Sequence, residues 1–128
     1  MKTIGISSGI VLALLVAAAA GAADLVVTSD ADSGPGSLRA AMAAAEANGE
    51  ADTIRFVSDM TVVLASQLPT VTTDITIEGL GWERTVVDGG NPSGGSSGVQ
   101  PFYVTSTGSL VLDAVMVQNG FGVNGGGV

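Results

Sequence analysis

Between Asp32 and Phe56 the chain runs through a polar turn, one short alanine-rich helix and the start of a strand, and no later segment repeats the helical pattern. Asp30-Ala31-Asp32-Ser33-Gly34-Pro35-Gly36 is dense in residues that favour turns. Ser37 is suited to cap a helix, because its hydroxyl can accept from a free backbone N–H of the first turn. Leu38, Ala41, Met42 and Ala45 then recur at i, i+3, i+4 and i+7, which places them on one apolar helical face. Asn48-Gly49 supplies a stop, since glycine accepts the left-handed conformation that ends helices. The spacing predicts a helix over 38–48.

The period changes after this helix. Leu25-Val26-Val27-Thr28 before it, and Thr53-Ile54-Arg55-Phe56, Met60–Leu64, Ile75-Thr76-Ile77, Thr85-Val86-Val87-Asp88, Phe102-Tyr103-Val104, Leu110-Val111-Leu112 and Val115-Met116-Val117 after it, read as strands. Turns rich in Gly, Asn, Asp and Pro separate them. A β-sandwich usually uses strands of about five to six residues. The well-defined strands here are nearer three, which suits a parallel solenoid in which each strand stacks on its equivalent one rung away. Ile75-Thr76-Ile77-Glu78-Gly79 and Val115-Met116-Val117-Gln118-Asn119-Gly120 share an apolar alternation followed by a glycine corner, a weak sign of internal repetition. In such a fold the first rung exposes unpaired backbone groups and the apolar end of the core. The amphipathic helix is expected to lie across that end as a cap.

The chain opens with a targeting pattern. Lys2 is the only charge before Asp24, and an apolar run from Ile10 to Ala20 leads into Gly21-Ala22-Ala23. A charged start, an apolar stretch and small residues are the parts of a secretory leader. A membrane span needs about 20 apolar residues, and Ile10 to Ala23 provides 14. Residues 1–23 are therefore expected to be a signal peptide, cut at Ala22–Ala23 or Ala23–Asp24, leaving no integral membrane span. With no cysteine, the chain has neither a lipid-anchoring thiol nor a disulfide.

From Asp24 onward, three arginines face 12 acidic residues, a net charge of −9. Phosphate binding needs clustered Lys and Arg, so nucleic acid is not an expected partner, and an anionic membrane surface is disfavoured on the same ground. One domain is the natural count for this length. Five aromatic residues and 19 glycines leave the core to Val, Ile and Leu.

Two stretches carry a resemblance. Gly34-Pro35-Gly36-Ser37-Leu38-Arg39-Ala40-Ala41-Met42 and Ala51-Asp52-Thr53-Ile54-Arg55-Phe56 resemble the N-terminal region of bacterial secreted right-handed parallel β-helix proteins with a Gly/Cys-Ser-Leu-Arg-type motif. Leu68-Pro69, Asp74–Gly79, Val86–Gly89 and Val117–Gly120 fit the same family, which includes autotransporter-like and adhesin-like surface proteins. Ala40 stands where that motif has Glu, which removes the second half of a capping box and predicts a softer helix start. Gly36 replaces the Cys, with no evident consequence. The resemblance implies a secreted or outer-surface location and a host or matrix glycan or protein as ligand. The expected fold is all-β: the start of a right-handed parallel β-helix with one N-terminal capping α-helix. Residues 24–50 form the first strand and cap, and 51–128 the first rungs. Asn124-Gly125-Gly126-Gly127-Val128 reads as the opening of another rung, so the chain is expected to be a truncated piece, open to edge-to-edge self-association.

No segment specifies catalysis, and no catalytic, cofactor or metal residue is assigned. Asp30-Ala31-Asp32-Ser33-Gly34 hints at a calcium loop but lacks the further ligands and distal Glu of an EF-hand; an Asx-type turn is the expected role. Gly120-Phe121-Gly122-Val123-Asn124-Gly125 matches a dinucleotide fingerprint in letters only, because no strand–helix unit follows. Gly94–Gly98 is a loop tip, and Pro92 removes Asn91-Pro92-Ser93 as a glycosylation site. Arg39 in the first helical turn opposes the helix dipole, which predicts a carboxylate partner, Asp32 or Asp52. The enzyme alternative, a polysaccharide lyase or hydrolase, would draw on Asp74, Asp88 and Asp113 if they share a face. A structural or adhesive role without catalysis is the expected function.

Overall fold

The computed structural model describes residues 21–93 and 96–122. The expectations for Met1–Ala20, for Gly94-Gly95 and for Asn124–Val128 lie outside the described residues. Among the described residues, seven strands and one helix occur in the order β1 (Asp24–Val27), α1 (Leu38–Asn48), β2 (Asp52–Phe56), β3 (Met60–Val63), β4 (Asp74–Glu78), β5 (Thr85–Asp88), β6 (Ser109–Asp113) and β7 (Met116–Gln118).

All strand pairings are parallel. One sheet has the order β1-β2-β4-β6 and the other β3-β5-β7. β1 and β2 share the first sheet with α1 between them. From β2 onward the strands alternate between the two sheets, and each from β4 on lies parallel beside the strand two places earlier, the chain from one strand of the first sheet to the next being one circuit. A third line of contact joins the remaining sides of two circuits. Val71 bridges Val104 in parallel, the Leu68 amide donates to Pro101 O at 3.1 Å, and the Thr105 amide donates to Val71 O at 3.0 Å. Among the described residues the chain is mostly strands in parallel sheets with one short helix, which is compatible with the expected all-β class. Phe102-Tyr103-Val104 is not a strand, however, because only Val104 finds a bridge partner; Phe102 is instead fully buried.

The inward row alternates as a half-buried strand requires. Ile54 and Phe56 of β2, Ile75 and Ile77 of β4 and Val62 of β3 point into one core with Val27, Leu64, Leu68, Val71, Val87 and Phe102. In register, Ile54 lies beside Ile77 and Ile77 beside Leu112. The Ile75–Gly79 and Val115–Gly120 similarity is not an equivalence between rungs. Ile75 and Ile77 belong to the first sheet and Met116 and Val117 to the second. Asp24 pairs with Thr53, Asp52 with Ile75, and Asp74 with Ser109, so successive circuits span 29, 23 and 35 residues.

Helix α1 occupies the range predicted, 38–48. Ser37 sits in extended conformation with its Oγ accepting from the Ala40 amide, and Gly49 closes the helix at φ +74°. Leu38, Ala41, Met42 and Ala45 are the buried residues and join the core beside β1 and β2. Burial of a side chain the size of Leu38 or Met42 is worth about 1.5–3 kcal/mol. The N–H that a capping-box Glu would have served belongs to Ser37, and it donates to Gly34 O at 3.2 Å, so the missing Glu is compensated by the turn. Gly36 does have a consequence: at φ +78° a Cβ would lie 2.2 Å from Thr28 Oγ1, so this position excludes a side chain unless Thr28 turns away.

Candidate functional site

The carboxylates that suggested chemistry are held by structure. Asp32 Oδ1 accepts from Arg39 Nη2 at 2.8 Å and from the Ala65 amide at 2.9 Å. The Ala65 amide bond, then the Arg39 hydrogen bond, hold its carboxyl below its ordinary value, against the effect of burial. Asp32 is therefore a long-range tie and not a local Asx turn; the local bond in that loop runs from the Ala31 amide to Ser29 Oγ. Arg39 also donates to Asp32 O, Gln67 O and Ser66 O. Of its two predicted partners it takes Asp32; Asp52 instead accepts from the Ala23 amide at 2.6 Å.

Glu46, on the helix, was not singled out by the sequence. Its Oε1 and Oε2 accept from the backbone amides and hydroxyls of Thr72 and Thr73, including a very short bond from Thr72 Oγ1. Burial works against its ionisation, yet these bonds outweigh it and lower its pKa. The adjacent threonines beside a short strand were the only available hint.

Asp74, Asp88 and Asp113 do not converge. Asp74 opens β4 and pairs in register with Ser109, while Asp113 closes β6 beside Glu78, four residues along the sheet. Four residues of strand are about 13 Å. Asp88 belongs to the other sheet and is occupied: its oxygens accept from the Gly90 amide, Gln118 Nε2 and Asn119 Nδ2. Burial raises its pKa and these bonds more than reverse that, leaving it lowered. Three further ion pairs lie on the surface, Arg55 with both Asp24 and Glu78, and Arg84 with Asp59. Among the described residues no group of three or more His, Cys, Asp or Glu side chains is placed to hold a metal ion. No helix among them is long and apolar enough to cross a membrane.

What the surface does present is aromatic. Phe56 and Phe102 are in the core, but Trp82 is 60% exposed, Tyr103 51% and Phe121 37%. Trp82 stands on the turn between β4 and β5, where the Gly81 amide bonds Ala114 O of the next circuit. Tyr103 lies next to Val104 on the third side. The outward row of the first sheet adds Thr53, Thr76 and Val111 in register. Two open clefts are polar. One of about 340 Å³ is bounded by Thr28, Ser29, Asp30, Ser58, Asp59 and Met60. The other, about 380 Å³, is bounded by Gly49, Glu50, Ala51, Thr72, Thr73, Asp74 and Thr107. Such surfaces offer stacking and hydrogen bonding, and each cleft is also bordered by two carboxylates, Asp30 with Asp59 and Glu50 with Asp74. Comparison with protein-family models, with curated proteins and with solved structures finds no match to this chain.

Proposed function

We propose that the chain is a non-catalytic, secreted or cell-surface protein with a structural or adhesive role, built as a right-handed parallel β-helix capped by α1. The alternation of strands between two parallel sheets, with a third line of pairing at Val71 and Val104, supports the solenoid. Parallel crossovers are right-handed in about 98% of cases, which supports the hand. The observation that carries the adhesive role is aromatic exposure: three of the five aromatic residues stand in solvent although the core is short of bulk. Amphipathic rings are what binding surfaces use, since one face packs and the rim stays wet.

Glycan and matrix-protein arrays probed with the labelled chain test this. Binding that falls at least tenfold in Trp82→Ala or Tyr103→Ala, with unchanged melting, fits the adhesive role. Trp82 is the sole tryptophan, so its emission should shift if the ligand covers it. Release of reducing or unsaturated sugar from a polysaccharide panel would replace the adhesin with the enzyme alternative. Absence of binding across both arrays would count against an adhesive role.

A further inference from the structure

Among the described residues, Asp52 is the one acid on an inward-facing strand row. It is in register with Ile75 of β4, which in turn meets Leu110 of β6. Its own strand alternates Asp52, Ile54 and Phe56 inward. The residue is 3% exposed. Oδ1 accepts from the Ala23 amide at 2.6 Å, and Oδ2 is the buried side-chain oxygen left without a hydrogen-bond partner among the described residues. A buried carboxylate with half its capacity unused is costly, and such exceptions call for a missing partner. One amide N–H cannot serve both oxygens. An ammonium at the same nitrogen can, because it has three protons and a charge.

That nitrogen lies inside the leader's small-residue segment. We propose that the leader is removed between Ala22 and Ala23, and that the new α-ammonium of Ala23 pairs with Asp52 and locks β1 onto β2. This rests on the secretory reading of the first 23 residues. The cut has small residues at both positions a leader peptidase inspects, Ala22 and Ala20. Gly21 and Ala22 are exposed, while Ala23 is half-buried. Water adds across the amide: its oxygen leaves with Ala22 as a carboxylate, and the Ala23 nitrogen keeps its electron pair and takes up protons. The Thr53 amide continues to donate to Ala23 O at 3.0 Å, so the first residue of the new chain is held on both sides. A cut one bond later, at Ala23–Asp24, would remove both contacts and leave Asp52 buried with no partner.

The test is secretion of the full chain with its own leader, followed by intact mass and N-terminal sequencing. The expected product starts at Ala23. Retention of Met1–Ala20 would defeat the leader reading and the inference together, whereas a product starting at Asp24 would defeat the inference alone. The processed chain contains no lysine, so reductive methylation with isotope-labelled formaldehyde marks its α-amine only, and NMR follows its titration. The Ala23 amine should titrate above the ordinary α-amino range of about 7.7–8.0; titration within that range would overturn the ion pair. Asp52→Asn should lower the melting temperature by about 5 °C or more in the processed chain, and by clearly less in the unprocessed chain. Equal losses in the two would also overturn it, and the amine titration decides the matter if the variant does not fold.

Discussion

Arg39 Nη2 and Asp32 Oδ1 are 2.8 Å apart, and this contact ties the start of the helix to the loop at Ala65–Gln67. The guanidinium makes four hydrogen bonds, three of them to backbone carbonyls of Asp32, Ser66 and Gln67. Removing it leaves those carbonyls and the Asp32 carboxylate to find water. Arg39→Ala should cost about 1.5–3 kcal/mol, the range for hydrogen bonds to a charged group, measured by urea denaturation. Arg39→Lys should recover little of it, because an ammonium cannot reproduce a planar fork. A change within about 0.5 kcal/mol would show that the tie carries no stability.

Acid should loosen both the helix ties and the β5–β7 contact. Asp32, Glu46 and Asp88 all have lowered pKa values. A group whose folded pKa lies below its unfolded one contributes stability above the unfolded value, and loses it as pH falls through the folded value. Melting temperature should therefore be flat from neutral pH down to about 5 and fall steadily below about 4. Glu46→Gln should shrink that fall, since it removes one of the three groups. A profile unchanged in Glu46→Gln would mean that the Thr72–Thr73 clasp is not titrating.

Close stacking of successive circuits is tested at Gly79. A Cβ there would come within 2.3 Å of Ala114 O and 2.8 Å of Val115 Cγ2. The Gly79 amide also donates to Asp113 O at 2.8 Å, so the backbone has no freedom to retreat. Gly79→Ala should destabilise by about 1–3 kcal/mol, as overpacking does. Retained stability would show that the two circuits do not approach in this way.

Ala114 offers a change in the opposite direction. It holds φ +57°, a left-handed conformation that costs a residue with a Cβ about 1–2 kcal/mol. Ala114→Gly removes that cost and adds some unfolded-state entropy. A net gain of about 0.5–1 kcal/mol is expected in thermal or chemical melting, and a loss would contradict the backbone assigned to this corner.

Helix and strand faces were legible because local chemistry decides them. Leu38, Ala41, Met42 and Ala45 carry the helical period, Ser37 and Gly49 mark its ends, and Ile54 with Phe56 and Ile75 with Ile77 fix the inward side of two strands. Pairing was not legible, because equivalent positions recur at 29, 23 and 35 residues and no fixed period survives insertions of that size. Val71 and Val104 meet across 33 residues through a single bridge, which leaves no alternation to read. The roles of Asp52 and Glu46 were hidden for a similar reason. An acid at a strand start or on a helix looks solvated until its distant partners, Ala23 for one and Thr72 with Thr73 for the other, are in place.

The central claim is that strands of successive circuits lie side by side in the same direction around one core. NMR of the labelled chain measures it at β4 and β6, where Ile75 meets Leu110 and Ile77 meets Leu112. Parallel pairing predicts amide-to-Hα contacts in a slanted, evenly spaced ladder between these strands, with Ile77 also contacting Ile54 of β2. Close Hα-to-Hα contacts between β4 and β6, the mark of antiparallel neighbours, would contradict it.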